Sequence, residues 1–458
     1  MSGRLRAAVA AALLAASACA LKAPPDAAAI RNEAMPKVAI PDRFHAPGAA
    51  PTGMLVANWV VGFHDDQLTA AIVEAIQNNP DLRIAAERVQ QAMLRAKLAG
   101  AKLYPSVDVL ARGGTKLSGD NSGLQGALLT ATWELDLWGR VRYGRAAAAA
   151  DAEAERADYE FARQSIAAVV ARNWMLATEA GLQAEVARVT VRDGEELVRL
   201  AETRTRVGVG NDEDLFIARA DLGNSRDVLR EIELGRDQAV RGLELLMGRY
   251  PAAAAAITPT LPGQPEAVPA GLPSSLLERR PDVIAAERRV AAAFNRVGEA
   301  KAARLPIISL TTGVSAISSE LFLLKDHTNP VWNLGANLVA PLYKGGALKT
   351  QVEIRTAEQR QAVAAYASIG LRAFGDVEIA LAAEAAARER EVILAQAVAD
   401  HRRAFDIVST QFRIGSTDLR FVTQRQLALN ATQAALIRVQ AEQRIQRVNL
   451  YLALGGGY

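Results

Sequence analysis

The sequence predicts a mainly α-helical fold with a small β portion, laid out as a tandem structural repeat. Three observations carry this. First, the run ALLTATWELDLWGRVR, from Ala127 to Arg142, passes from strand alternation straight into an Ala/Arg/Glu-rich stretch. That stretch continues without proline for roughly 67 residues, near 100 Å if helical throughout. Second, proline is absent from Ser106 through Tyr250 and again after Pro341, whereas Pro251, Pro259, Pro262, Pro265, Pro269 and Pro273 cluster between. Proline breaks helix interiors, so these are two helical zones joined by a linker. Third, landmarks recur in order: Pro80-Asp81 and Pro105 answer to Pro281-Asp282 and Pro306, Arg206-Val207-Gly208 to Arg413-Ile414-Gly415, and Leu245 with Gly248 to Leu452 with Gly455.

The composition suits such a fold. Hydrophobic residues make up 50% of the 458, but aromatics only 5%, and alanine supplies much of the apolar share, which favours close helix packing over one large globular core. The net charge of +3, with Lys and Arg interspersed among Asp and Glu, gives no basis for a nucleic-acid partner. A single cysteine, Cys19, excludes an intramolecular disulfide and any thiolate cluster.

At the N-terminus, Arg4 and Arg6 precede an uncharged apolar run and small residues leading to Cys19, the design of an export signal over residues 1–18. Ala16-Ser17-Ala18-Cys19 resembles a bacterial lipobox, with Cys19 as the lipidated first residue of the mature chain. An ordinary secretory signal cut nearby is the alternative. Residues 19–58, with six prolines, are expected to form an extended tether.

The first repeat then covers residues 59–249. It opens with helical spacing at Leu68, Ile72, Val73 and Ile76, followed by strands at about 105–136, a long helix at about 140–207 and a helix at about 214–248. After the linker, residues 250–273, the second repeat covers 274–458. Its strands fall at about 306–343, its long helix at about 347–414 and its last helix at about 417–454. Strand alternation is explicit in both. Leu129, Ala131, Trp133 and Leu135 oppose Thr130, Thr132, Glu134 and Asp136; Ile308, Leu310, Thr312, Val314 and Ala316 oppose Ser309, Thr311, Gly313 and Ser315. Leu334 to Leu342 alternate likewise, and Val107, Val109 and Ala111 begin the set. Gly113–Gly123 and Ser318–Pro330 read as the hairpin loops.

No run of about 18 uncharged apolar residues exists beyond the signal, so no transmembrane helix is expected. Strands of roughly 9 to 11 residues can cross a bilayer at a tilt, but four of them cannot close a barrel, and lipid tolerates no open edge. Several copies would have to share one barrel. A soluble two-hairpin sheet packed on helices is the alternative that alternation leaves open.

Three motifs, TWELDLWGRVR at 132–142, GLPSSLLERRPDVIAAERRVAAAFNRVGEAKAARLPIISLTTG at 271–313 and LYLALGGGY at 450–458, are similar to those of TolC-like outer-membrane efflux channels, in the lipoprotein branch typified by OprM and NodT. The resemblance covers nearly the whole mature chain. It implies a homotrimer with a shared twelve-stranded outer-membrane β-barrel, a long periplasmic α-helical barrel, a periplasmic adaptor protein, an inner-membrane pump of the RND type, and contact with outer-membrane lipids. It implies passive conduction of drugs or toxic small molecules, with no catalytic residue, cofactor or metal.

The expected site lies at the turns that end the long helices, RVGVGNDEDL at 206–215 and RIGSTDLRF at 413–421. Glycine accepts the left-handed backbone of a helix end, which suits Gly208 and Gly415. By resemblance, Thr417, Asp418 and Arg420 line a periplasmic gate, and Gly208, Asp212, Glu213, Asp214 and Gly415 form an adaptor-facing tip. Acids favoured by the helix dipole are an equal reading of Asp212 to Asp214. Trp133, Trp138 and Tyr343 sit at strand ends, either as bilayer-interface anchors or as a packed barrel-to-helix junction. Of the four histidines, none has a metal-ligand partner at suitable spacing, and no Walker loop or dinucleotide fingerprint occurs. Glu287 with Glu278, Arg279, Arg280, Arg288 and Arg289 reads as a helix-surface network. Two other functions stand beside the efflux reading: the exit duct of a type I-like protein secretion system, and a soluble periplasmic coiled-coil interaction protein.

Overall fold

The computed structural model describes residues 21–47, 58–112, 125–268, 273–318 and 331–457. The expected export signal, Cys19, the expected loop Gly113–Gly123, residues 319–330 of the expected second loop and with them His327 lie outside the described residues. Helix α1 spans Ala27–Ala34; a 3₁₀ turn at Trp59–Phe63 leads into α2 (Asp66–Asn78) and α3 (Pro80–Ala101). Strands β1 (Ser106–Arg112) and β2 (Gln125–Leu135) precede α4 (Arg140–Arg206) and α5 (Asp212–Leu246). The second repeat follows as α6 (Pro273–Arg279), α7 (Pro281–Ala302), β3 (Ile307–Ser318), β4 (Val331–Val339), α8 (Ala347–Arg413) and α9 (Leu419–Ala453). Equivalent helices match in length: 22 residues for α3 and α7, 67 for α4 and α8, 35 for α5 and α9.

Two details differ from the sequence reading. The expected tether contains α1, capped by Asp26, whose Oδ1 accepts from the Ala29 N–H at 2.7 Å, and it buries Ile30, Met35 and Phe44. Six prolines there limit helix length without preventing apolar side chains from docking. Strand β4 ends at Val339, so Ala340 and Leu342 fall outside it. Pro341 has no N–H to continue the ladder.

One compact unit comprises Met1–Val38, Ala86–Asp158 and Ile284–Ile369, and it holds the sheet. The four strands are antiparallel in the order β1-β2-β3-β4, with β2 against β3 joining the repeats. Register sorts the side chains. Rows such as Val109–Leu129–Val314–Trp332 and Leu135–Ile308–Leu338 fall on one face, and Asp108–Thr130–Gly313–Asn333 and Glu134–Ser309–Asn337 on the other. The TWELDLWGRVR motif forms the exit from β2. Asp136 accepts the Val141 and Arg142 N–H groups at 2.9 Å each, covering donors that the start of α4 would leave bare. Glu134 pairs with Arg140 at 2.6 Å. The Lys22 N–H donates to Tyr143 Oη at 3.0 Å, so the chain just after Cys19 is docked beside the start of α4.

The other unit comprises Ala39–Ala85, Tyr159–Val283 and Gly370–Tyr458. Here the repeat explains two motifs that are uninformative singly. Asn79, before Pro80-Asp81, donates through Nδ2 to the Leu246 carbonyl at 2.9 Å; Arg280, before Pro281-Asp282, donates through Nη1 to the Ala453 carbonyl at 3.1 Å. Each repeat thus ties the entry of its 22-residue helix to the exit of its 35-residue helix. Arg280 is buried and also binds Asp282 and Asp376. The linker is held by α9: Arg444 donates to the Pro262 carbonyl at 2.5 Å, and Arg447, itself paired with buried Glu384, donates to the Pro265 and Glu266 carbonyls. The C-terminal motif closes onto the repeat's start, with Tyr451 stacked on Trp59 at 5.5 Å and the Asn58 N–H donating to the Gly457 carbonyl at 3.0 Å.

Candidate functional site

Both long helices end in the same hydrogen-bond pattern. After α4 the Gly208 N–H donates to the Thr205 carbonyl and the Val209 N–H to Arg204; after α8 the Gly415 N–H donates to Phe412 and the Ser416 N–H to Gln411. This paired closure is the Schellman motif, and it places Gly208 at φ 76° and Gly415 at φ 81°.

The two turns are packed on a shared apolar cluster. Ala201, Ala218, Phe412, Leu419 and Val422 are buried in it, with Leu197, Leu215 and Phe405 against its margin. Arg204 of α4 reaches the end of α8: its guanidinium lies 4.9 Å from the centre of the Phe412 ring, and Nη1 donates to the Phe412 carbonyl at 3.4 Å. Neither Arg204 nor Phe412 belongs to a motif in the sequence; the signal it carries for them is the repeated position of both turns at the end of equal helices. Further from the turns, a cavity of about 400 Å³ lies among α4, α5 and α9, lined by Leu222, Val228, Leu419 and Leu427 among others. Nearby, burial pushes the Asp193 carboxyl up, against the pull of Arg402 and Arg192 and a hydrogen bond from Gln426 Nε2 at 3.3 Å.

The repeat exposes a difference between the turns. Asn211 and Asp418 occupy the same position, the N-cap of α5 and of α9, both in extended backbone. Asn211 Oδ1 accepts the Asp214 N–H at 2.7 Å, whereas the Asp418 side chain accepts no capping bond and is exposed. The first turn of α5 then carries Asp212, Glu213 and Asp214, while α9 carries Leu419, Arg420 and Phe421. Thr417 is half-buried and Arg420 exposed, and no ion pair joins Arg420 to Asp418 among the described residues. Val207, Val209, Phe216 and Ile414 stand exposed around the two turns. The structure therefore brings Gly208, Asp212, Glu213 and Asp214 together on one turn, and Gly415, Thr417, Asp418 and Arg420 on the other.

The aromatic residues divide. The Trp133 indole N–H donates to the Leu103 carbonyl at 2.9 Å and that of Trp138 to the Pro306 carbonyl at 2.8 Å, so both rings are fixed to the chain at strand bases. Tyr343 is 89% exposed. The arginine-rich segment of α7 is a network of ion pairs: Arg288 with Glu287 and Glu153, Arg289 with Asp158, and Arg296 with Asp151. Among the described residues no group of three or more His, Cys, Asp or Glu is placed to hold a metal ion, and no helix is long and apolar enough to cross a membrane.

Comparison with known proteins is consistent with this architecture. The cation efflux system protein CusC of Escherichia coli is 30% identical over 416 residues, covering 88% of each chain. The pyoverdine export outer membrane protein OpmQ of Pseudomonas putida is 30% identical over 440 residues, covering 92% of this chain and 93% of its own. The solved outer-membrane channel OprN superposes with a TM-score of 0.81 at 25% identity, over 92% of this chain and 98% of its own. The model of the outer membrane efflux protein family matches twice, at residues 71–249 and 272–456, once for each repeat, and the chain belongs to that family.

Proposed function

We propose that the protein is the outer-membrane duct of a tripartite efflux system, conducting small molecules outward by passive flow through a homotrimer. The observation that carries this reading is the sheet. One face is apolar in most of its rows and the other carries the polar rows, with Leu110 opposite Leu128 and Ile307 opposite Val339 as apolar pairs on the polar side, and β1 and β4 are edges with no partner strand among the described residues. Edges cannot stand open in lipid, so copies of the sheet must pair edge to edge; three copies give a twelve-stranded barrel. The apolar face then meets lipid, and the polar face lines the lumen. Channels of this kind do no covalent chemistry; the energy comes from a partner pump, here of the RND type, reached through a periplasmic adaptor.

The turns after α4 and α8 are the adaptor-facing end, where Gly208 and Gly415 shape the tip and exposed Val207, Val209 and Phe216 flank Asp212, Glu213 and Asp214. The gate is assigned to Asp418 with Arg420 and Thr417, because Asp418 is the N-cap whose carboxylate is left free of its own helix. In a closed trimer three such carboxylates and three arginines would face one another about the axis. Cargo is set by the pump: relatives of equal identity are named for cation efflux and for pyoverdine export. Drugs or toxic small molecules are the class proposed here. Cys19 is the acylated residue that anchors the chain to the same membrane.

Conductance of the detergent-extracted protein in planar bilayers tests the reading. The wild type should give small, mostly closed currents, and Asp418→Ala and Arg420→Ala larger ones. Unchanged currents in both variants would remove the gate assignment, and failure of the wild type to conduct under any condition would remove the duct.

A further inference from the structure

The four segments that join the sheet to its helices, residues 102–105, 136–139, 303–306 and 340–346, lie along one edge of the sheet. Register puts them there: Ser106 pairs with Thr132, Leu135 with Ile308 and Ile307 with Val339, so β1 and β3 start where β2 and β4 end. Their charge is one-sided. They carry Lys102, Arg304 and Lys344 against a single acid, Asp136. That acid is spent within the chain, where its carboxylate takes the Val141 and Arg142 N–H groups and pairs with the Arg142 guanidinium at 3.2 Å. Glu134, two residues before it, is held by Arg140, and Glu299 of α7 is half-buried against Gly144. Lys102, Arg304 and Lys344 are exposed and make no ion pair among the described residues.

Apolar side chains stand open among these cations: Tyr104, Leu342 and Tyr343 are 74%, 95% and 89% exposed. Apolar groups beside unpaired cations at the end of a membrane strand suit the boundary between acyl chains and headgroups. There the rings and leucine reach the chains, and the long cationic side chains extend to phosphate. Water alone would leave the apolar groups uncovered, and a zwitterionic surface gives the charges no net attraction; an anionic headgroup answers both. The edges of the sheet sharpen the demand. Where β1 of one copy meets β4 of the next, Lys102 comes to the base of the same seam as the partner subunit's Lys344, and neither segment carries an acid. Two cations at one seam repel unless an anion lies between them.

We propose that this helix-side rim of the sheet binds anionic phospholipid, the headgroup phosphates lying against Lys102, Arg304 and Lys344 and the acyl chains against Tyr104, Leu342 and Tyr343. The lipid belongs to the membrane leaflet nearest the helices, and it serves as the counter-ion at the seam between copies. The trimer is therefore more stable in an anionic membrane than in a neutral one. The surface rests on the duct reading, since it exists only where the sheet is part of a barrel wall.

Wild-type protein and a variant combining Lys102→Gln, Arg304→Gln and Lys344→Gln, each reconstituted in vesicles of phosphatidylcholine with or without phosphatidylglycerol, test it. The temperature at which the trimer dissociates should rise with phosphatidylglycerol in the wild type and stay the same in the variant. A second variant that keeps the charges, Lys102→Arg with Arg304→Lys and Lys344→Arg, should behave as wild type, and added salt should shrink the rise. A wild-type trimer indifferent to phosphatidylglycerol, or a rise that the neutral variant keeps, overturns the lipid site and leaves the trimer standing; absence of a trimer in both vesicles overturns the duct reading with it. Inorganic phosphate added to phosphatidylcholine vesicles should give no rise, and a rise equal to that of the lipid would make the rim a phosphate site instead. Lipid retained by the wild type on detergent extraction provides a measurement that needs no variant. Enrichment in phosphatidylglycerol over the vesicle it came from is expected, and retention in the vesicle's own proportions would overturn the proposal.

Discussion

Glu244 shows how a single side chain can hold a turn that sequence patterns do not mark. It lies near the end of α5 with 2% of its surface exposed, and its carboxylate accepts the N–H groups of Ala253, Ala254 and Ala255 at 2.7, 2.7 and 2.9 Å. Burial alone would push this carboxyl up; the three backbone donors and Arg249 outweigh it and hold the group below the ordinary glutamate range. A depressed carboxyl adds stability that is present above its unfolded value, about 4.3, and is lost as pH falls through the folded one. Glu244→Gln should therefore destabilise the protein by roughly 2–3 kcal/mol at neutral pH, the scale of lost charge-assisted hydrogen bonds. Thermal unfolding as a function of pH should show that difference shrinking in acid. A glutamate among scattered helix acids gives no sign of this in the sequence, because its three donors come from a segment beyond the helix.

At the scale of elements, all four helices that end a repeat arm close in the same way, with glycine at φ between 70° and 81° at positions 208, 248, 415 and 455. Their surroundings differ. A Cβ at Gly208 would meet nothing within 4 Å, while one at Gly248 would come 2.8 Å from the Asn78 carbonyl oxygen. Gly208→Ala should cost only the left-handed strain, about 1–2 kcal/mol. Gly248→Ala should cost more, since backbone at the entry of α3 would have to move. Unfolding temperatures of the two variants in one detergent give the comparison, and equal losses would show that the joint at Asn78–Asn79 is loose. The glycines were legible from the repeat, but which of them is crowded depends on the Asn79–Leu246 tie, a contact across most of the first repeat.

For the whole molecule, the docking of the chain after Cys19 beside Tyr143 bears on anchoring. Cys19→Ala should abolish incorporation of labelled palmitate while leaving the sheet and helices in place. Retention of the label would show that acylation is elsewhere. The fraction of the variant recovered with outer membranes measures how far the shared barrel holds the protein without its lipid.

Repeat order, strand alternation, helix lengths and both glycine turns followed from the sequence alone, because each depends on local backbone preference or on a periodicity that neighbouring residues carry. Tertiary structure decided what lies on what. The docking of α1, the arginine hold on the linker and the Arg204–Phe412 contact all depend on groups far apart in the chain. Their energies arise only when separate segments exclude water together, and no local pattern records that. The difference between Asn211 and Asp418 shows both sides: the repeat identifies the two as equivalent, and only the folded chain shows that one side chain caps its helix and the other does not.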